Sequence, residues 1–174
     1  MWDFFATVRN RHSIRKYQTD MPVEKEKLHA ILEMACAAPS AGDLQAYRIH
    51  VIEQADTRAR LSAAASNQEF IQQAPICLVF SAEPKLSEKQ FGARGATLYA
   101  LQDATIATSY AQLAVVATGL GSTWVGYFDE QQVRDCLALD ADLQPVAMLS
   151  IGYPAELPEQ TPRRPMNEIV VRDQ

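Results

Sequence analysis

Apolar residues recur at helical spacing in five segments of the chain, and these segments predict helices. The predicted helices cover residues 3–9, 23–38, 57–65, 97–118 and 130–139. The segment 97–118 is apolar on nearly every side, which predicts a helix that is buried all round. Asp56 and Asp129 directly precede two of the segments, so we expect them to cap those helices.

Shorter apolar runs alternate with these helices and predict strands. The predicted strands cover residues 47–53, 75–81, 122–125 and 146–152. Residues 83–95 have few apolar anchors and two glycines, which predicts a mobile connection. The tail 153–174 contains four prolines and is expected to run extended and to pack on something else, such as a partner subunit. No break in composition divides the chain, so we expect one α+β domain over residues 1–174.

Composition limits the functions that this chain can have. It has 174 residues, of which 48% are hydrophobic and 21% charged, as in a globular domain. The net charge of -5 argues against a general nucleic-acid binder. No apolar run approaches the roughly 18 residues of a membrane span, and residues 1–10 have no secretory signal pattern. With three scattered cysteines as well, we expect a cytoplasmic protein that binds neither membrane nor nucleic acid.

Several kinds of catalytic or nucleotide site have no support in the sequence. There is no Gly-x-Ser-x-Gly elbow, and His12, His29 and His50 lack the motif partners of a hydrolase. No pair of cysteines or histidines has metal-ligand spacing. The glycines match neither a phosphate-binding loop nor a dinucleotide fingerprint. Any nucleotide must therefore bind in another way.

A basic cluster near the amino terminus is the most informative local feature. Its polar and basic residues are Arg9, Arg11, His12, Ser13, Arg15 and Lys16. The cluster is either a solvated face or an anion pocket, since arginines and a hydroxyl grip phosphate well. A second basic pair, Arg163 and Arg164, lies in the tail. The two basic segments share one phosphate only if the tail folds back or crosses to a partner.

Four motifs, taken in order, resemble those of the nitroreductase family. They are Arg11-His12-Ser13-Ile14-Arg15, the segment 39–45, the segment 119–126, and Pro162-Arg163-Arg164-Pro165 followed by Glu168-Ile169-Val170. The resemblance covers essentially the whole chain. It implies an FMN-dependent oxidoreductase with an α+β fold, a mostly antiparallel central sheet flanked by helices, and an intertwined homodimer. Two flavin sites would lie at the dimer interface.

The same resemblance implies how the basic residues bind FMN. Arg11, Ser13 and Arg163 match phosphate ligands of the family. His12 matches a contact near the ribityl chain, and Arg15 matches a basic position at the pyrimidine edge of the ring. Arginines can neutralise both the negative charge of the phosphate and that of the electron-rich edge of the ring.

Further implied contacts lie elsewhere in the chain. The loop with Pro39, Ser40 and Asp43 matches a loop that reaches the ring from the other subunit. Asn67 matches an amide that hydrogen-bonds the ring. Residues Val125 and Gly126 match backbone donors near the reactive face of the ring.

Three positions depart from the family pattern and remove positive charge. Asp43 stands where asparagine is usual, Phe70 where some members have lysine, and Thr161 where a tail lysine is frequent. We therefore expect weaker retention of FMN than in a typical member.

The helix 97–118 has two interpretations. It is either the core of a monomer or a dimer helix whose small residues let a partner backbone approach. The small residues in question are Ala100, Ala104, Ala107, Ala111 and Ala114.

The expected reaction is transfer of a hydride from NADH or NADPH to FMN and then of electrons to a nitroaromatic, a quinone or a similar acceptor, with ping-pong kinetics. The resemblance also implies an open pocket and a broad acceptor range, because residues 83–95 stand where family members carry a segment over the active site, and here that segment is short. Alternatives are reductive dehalogenation, breakdown of the flavin itself, a non-enzymatic flavin-binding protein, and a dimer without cofactor. The sequence leaves the choice between NADH and NADPH open.

Overall fold

Four strands form one antiparallel sheet at the centre of the structure, a computed structural model that describes residues 3–173. The strands are β1 Tyr47–Ile52, β2 Ile76–Ala82, β3 Gly121–Val125 and β4 Gln144–Gly152. Their order in the sheet is β1-β2-β4-β3. All four predicted strands are therefore confirmed, with bounds shifted by two residues or fewer at each end.

Eight α-helices surround this sheet within the described residues. They are α1 Phe4–Asn10, α2 Lys25–Cys36, α3 Ala55–Ala64, α4 Phe70–Gln73, α5 Pro84–Arg94, α6 Ala100–Ala117, α7 Glu130–Leu137 and α8 Met166–Ile169. The predicted α+β class with a mostly antiparallel sheet is confirmed. None of the helices within residues 3–173 has the length and apolar character needed to cross a bilayer.

The sheet is buried on both faces, since every residue of strand β2 is buried and all but Ser81 are apolar. Its side chains alternate, so Leu78 and Phe80 join the core beneath α2 and α6. Cys77 and Val79 point the other way, into the core that α3, α4 and α7 cover. Burial raises the pKa of the Cys77 thiol to about 12, so this cysteine is an inert core residue.

Helix α6 is the buried helix that the sequence predicts, but its small residues face the core of the same chain. All five alanines of the predicted dimer face are buried against the sheet and α2. The interpretation of this alanine stripe as a surface for a partner backbone is therefore wrong. Small side chains at these positions instead let α6 lie close to the sheet within one chain.

Residues 83–95, for which the sequence predicts a mobile connection, instead contain helix α5, which is interrupted by a non-helical Gly92. Pro84 occupies the first turn, where the missing amide costs nothing. The Glu83 amide donates to the Ala46 carbonyl at 2.9 Å, which fixes the start of the helix. Packing at the far end, where the Phe91 and Tyr99 rings meet edge to face at 5.3 Å, replaces the missing apolar stripe.

Helix caps and the tail follow the predictions in part. Asp129 accepts from the Gln132 amide at 2.9 Å and caps α7 as predicted. Asp56 is not a cap, because α3 already begins at Ala55. The predicted extended tail is interrupted by the short helix α8, and all its residues from 159 to 173 are exposed. Gln174, like residues 1 and 2, lies outside the described residues.

Candidate functional site

A basic cavity of about 590 Å³ lies between the segment after α1 and the carboxyl-terminal tail. Its lining residues are Val8, Arg9, Arg11, His12, Ser13, Arg15, Pro158, Glu159, Gln160, Thr161 and Arg163. We call it the basic pocket. It unites the two basic segments of the sequence, because the tail folds back along the same chain.

The segment 11–18 is held in place by the edge strand β3. The Ile14 amide donates to the Ser122 carbonyl at 3.0 Å, and Ile14 and Tyr17 are buried. Gly121 permits this approach, since a Cβ there would lie 2.6 Å from Ile14 Cγ1. With its apolar residues held inward, the segment leaves Arg15 exposed to solvent.

The tail is attached to the same segment by reciprocal hydrogen bonds. The Gln18 amide donates to the Tyr153 carbonyl, and the Ala155 amide donates to the Lys16 carbonyl, each at 2.9 Å. Glu156 Oε1 then accepts from the Arg15 amide at 3.0 Å. Further along, Gln160 Nε2 donates to the carbonyl of Arg9 at 3.3 Å, so the tail closes one side of the basic pocket.

The pocket concentrates positive charge that the chain itself does not neutralise. The four arginines that line it form no salt bridge among residues 3–173. Partial burial, and then the nearby Arg163 guanidinium, lower the pKa of Arg11 from its usual value. Glu159 also lines the pocket, without pairing to an arginine. An anion in this cavity would relieve the repulsion between the guanidinium groups.

Arg15 extends from the basic pocket toward the start of α4. Its guanidinium carbon lies 6.0 Å from the centre of the Phe70 ring, within reach of a cation–π contact. Phe70 is buried beneath it. Asn67 lies three residues before Phe70, in a left-handed conformation with φ of 58°. This backbone conformation is uncommon for a residue other than glycine, and such residues cluster at functional sites.

Asn67, Val125 and Gly126 lie outside the lining of the basic pocket, near a second cavity of about 380 Å³. That cavity is lined by their immediate neighbours Ser66 and Tyr127. Val125 is the last residue of β3 and is buried, whereas Gly126 follows it at the surface. The structure therefore brings these three predicted contacts to one region.

The third group of predicted contacts lies in a separate loop. Pro39, Ser40 and Asp43 do not line the basic pocket or the second cavity. The loop is held by hydrogen bonds of its own, since Ser40 Oγ accepts from the amide of Gln45 at 2.9 Å. Asp43 Oδ1 accepts from Gln45 Nε2 at 2.5 Å. The carboxylate of Asp43 is thus engaged within the loop.

Two residues that shape these regions were missed by the sequence analysis. Glu156 connects the tail to Arg15, and Asp103 on α6 accepts from the Ala41 amide at 2.9 Å. Asp103 carried a signal, because it is a lone acidic residue in a long apolar helix. Glu156 carried none, since an acidic residue in a proline-rich tail is ordinary.

Comparison with known proteins identifies related chains over nearly the whole length. The model of the nitroreductase family matches residues 8–68 and 62–153. A protein of Thermus thermophilus named NADH dehydrogenase is 32% identical and aligns over 92% of this chain and 91% of its own. The FMN reductase [NAD(P)H] of Bacillus subtilis is 28% identical over 97% of this chain and 73% of its own.

Solved structures have the same fold as this chain. The structure of NfrA2 from B. megaterium superposes with a TM-score of 0.92 at 28% identity, over 100% of this chain and 75% of that one. The fold of this chain is therefore that of its sequence relatives.

Proposed function

This chain belongs to the nitroreductase family, and we propose that it uses FMN to take a hydride from NADH or NADPH and to reduce a nitroaromatic, a quinone or a similar small acceptor with ping-pong kinetics. Use of FMN and NAD(P)H is in keeping with the names of its relatives. Convergence of unpaired arginines from both ends of the chain into one pocket is the observation that carries the proposal.

The basic pocket has the donor set that the phosphate of FMN requires. A phosphate monoester carries about −1.5 to −2 charges at neutral pH. Arg11, Ser13 and Arg163 line the pocket and would hold it with two guanidinium forks and a hydroxyl. Burial and the nearby Arg163 lower the pKa of Arg11, and an anion would offset both effects. No salt bridge of Arg11 within residues 3–173 would have to be broken first.

The remaining contacts would orient the rest of the cofactor. His12 lines the pocket beside the phosphate ligands and would contact the ribityl chain. Arg15 would place a cation at the pyrimidine edge, with Phe70 beneath its guanidinium. When bound, FMN supplies the hydride and electron transfer. Asn67 and the backbone amides of Val125 and Gly126 would donate hydrogen bonds to the ring.

We further propose that the enzyme is a homodimer whose loop 39–45 contributes Pro39, Ser40 and Asp43 to the site of the partner. Several large apolar side chains on α1 and on the tail are exposed to solvent, and this exposure supports the proposal. Phe5 is 67% exposed, Leu157 86% and Val171 93%. A second subunit would remove this apolar surface from water.

Steady-state kinetics test the proposed activity. The protein, supplied with FMN, is assayed for oxidation of NADH and of NADPH with menadione and with a nitrofuran as acceptors. We expect turnover with both acceptors and parallel lines in double-reciprocal plots. An FMN-loaded protein that oxidises neither nucleotide would contradict the proposal and favour a flavin-binding protein without enzyme activity. Product analysis separates simple reduction from dehalogenation or flavin breakdown.

A further inference from the structure

Helix α6 carries a carboxylate that the chain buries without a cationic partner. Asp103 is 2% exposed, and it forms no salt bridge among residues 3–173. Its Oδ1 accepts from the Ala41 amide at 2.9 Å, and its Oδ2 accepts from the Ala46 amide at 3.4 Å. One carboxylate therefore bridges both ends of a short loop.

Burying an ionised carboxylate is costly unless donors surround it. An apolar residue would suit the core better if the only role of position 103 were packing. The position instead joins a rigid helix to the amides of Ala41 and Ala46, on either side of the residues proposed to face the flavin. This placement points to control of the loop rather than to general stability.

The loop between these two amides has a backbone that needs support. Gly42, Asp43 and Gln45 have positive φ angles of 59°, 55° and 44°. Conformations of this kind persist outside glycine when the surrounding structure determines them. Gly42 is also enclosed by α5, since a Cβ there would lie 2.8 Å from Gln90 Nε2.

Holding the loop in this form also determines the direction of one hydroxyl. Asp43 Oδ1 only accepts, so the Gln45 side chain must turn its Nε2 toward it, at 2.5 Å. Ser40 Oγ then accepts from that Nε2 at 3.1 Å and from the Gln45 amide at 2.9 Å. With both lone pairs engaged, the hydroxyl hydrogen of Ser40 is left to donate outside the loop.

We propose that Asp103 is a positioning residue that fixes the loop 39–45 and so directs the Ser40 hydroxyl outward as a hydrogen-bond donor. The ligand class that it serves is a hydrogen-bond acceptor on a planar ring. The inference rests on the proposed function, because that function places a flavin where the loop would meet it.

The first test compares Asp103→Asn with a control on the same helix. The asparagine keeps the shape but turns a donor toward one of the two amides. Thr108→Val is the matched control, since Thr108 is fully buried and bonds only within its own helix, to the Ala104 carbonyl at 2.7 Å. NMR hydrogen exchange of the Gln45 and Ala46 amides is measured in the apoprotein, and FMN affinity by fluorescence titration.

We expect Asp103→Asn to speed exchange at Gln45 and Ala46 by about tenfold to a hundredfold, as the loss of a charge-assisted bond implies. The FMN dissociation constant should rise about tenfold. Thr108→Val should lower thermal stability yet leave exchange at both loop amides as in the wild type. Loop exchange that is unchanged by Asp103→Asn, or raised equally by Thr108→Val, would overturn the proposal.

A second variant tests the proposal from the loop side. Ala41→Pro removes the amide that donates to Asp103, at the start of a 3₁₀ turn and after an extended Ser40 (φ −141°, ψ 159°), a setting that proline tolerates. It lies outside the core, so it remains informative if Asp103→Asn does not fold. The Gln45 amide should exchange faster, and FMN should bind more weakly. Wild-type values for both would refute the proposal.

The double variant completes a cycle. If both substitutions act on the same bond, their combined effect on FMN affinity should not exceed that of the more severe single variant. Multiplication of the two effects would mean that Asp103 acts elsewhere, against the proposal.

Loop exchange does not depend on the flavin, so a wild-type protein that binds no FMN refutes the proposed function alone. Faster loop exchange in Asp103→Asn would then still support its positioning role.

Discussion

Replacing Arg11 by alanine tests the basic pocket most sharply, because it should weaken the cofactor complex without weakening the apoprotein. Arg11 lines the pocket, is partly buried, and lies near Arg163. It forms no salt bridge among residues 3–173. The side chain therefore has no internal partner whose loss would confuse the result.

The expected loss of affinity follows from the charge of the ligand. A hydrogen bond to a charged group contributes about 1.5–3 kcal/mol. Since each 1.4 kcal/mol is a factor of ten, the FMN dissociation constant should rise by about 10- to 150-fold.

The effect on the apoprotein should have the opposite sign. The pKa of Arg11 is lowered in the folded protein by burial and by Arg163. The folded state thus binds this proton more weakly than the unfolded state, and the charge disfavours folding throughout the neutral pH range. Arg11→Ala should leave the melting temperature of the apoprotein unchanged or raise it.

The assay titrates apoprotein into FMN and follows flavin fluorescence, with melting temperatures measured in parallel. Arg164→Ala is the control, because it removes the same charge from the residue beside Arg163. Arg164 does not line the pocket and pairs instead with Glu168 at 3.4 Å. Loss of this charge in Arg164→Ala should weaken FMN binding only slightly, and the difference from wild type should disappear at high salt.

Two results would refute the reasoning. One is an unchanged FMN dissociation constant in Arg11→Ala, which would remove this arginine from the phosphate site. The other is an equal loss of affinity in Arg164→Ala at high salt, which would mean that net charge rather than the pocket binds the cofactor.

Three further substitutions probe the surroundings of the site. Gly121→Ala should lower the free energy of unfolding by about 1–3 kcal/mol, because its Cβ would lie 2.6 Å from Ile14 Cγ1, and an unchanged denaturant midpoint would contradict this packing. Asp43→Asn removes a negative charge but keeps an acceptor for the loop, so equilibrium dialysis should show FMN bound several-fold more tightly; equal or weaker binding would argue against charge repulsion as the cause of weak retention. Glu156→Ala deletes the acceptor of the Arg15 amide at 3.0 Å and should raise the FMN dissociation constant by about tenfold, whereas unchanged affinity would show that the tail is held without it.

The elements with strong local patterns could be predicted from the sequence. Strand β2 is apolar except at Ser81, and α6 is apolar on nearly every side, so both stand out from the chain. Helix α5 could not be predicted, because it is held by contacts with residues outside the helix rather than by an apolar stripe of its own. Gly42 from the loop and Tyr99 from the next turn supply those contacts.

The sequence could predict which residues belong to the candidate site, but not how the fold brings them together. The basic cluster around Arg11 and the tail residue Arg163 suggest an anion pocket, but only the return of the tail brings them together. That return depends on hydrogen bonds from and to the backbone between residues 15–18 and 153–156, which leave no sequence signature. Asp103 stands out as a lone acidic residue in an apolar helix, but its role could not be predicted, because its partners are the main-chain amides of Ala41 and Ala46.

Whether the purified protein retains FMN is the most direct test of the central claim. The protein is saturated with FMN and desalted, and its absorbance spectrum gives the ratio of flavin to chain. We expect flavin bands and a ratio that rises toward about one per chain as desalting is shortened, as weak retention in a specific site requires. A spectrum without flavin even when free FMN is removed rapidly, together with no fluorescence change on titration, would contradict it.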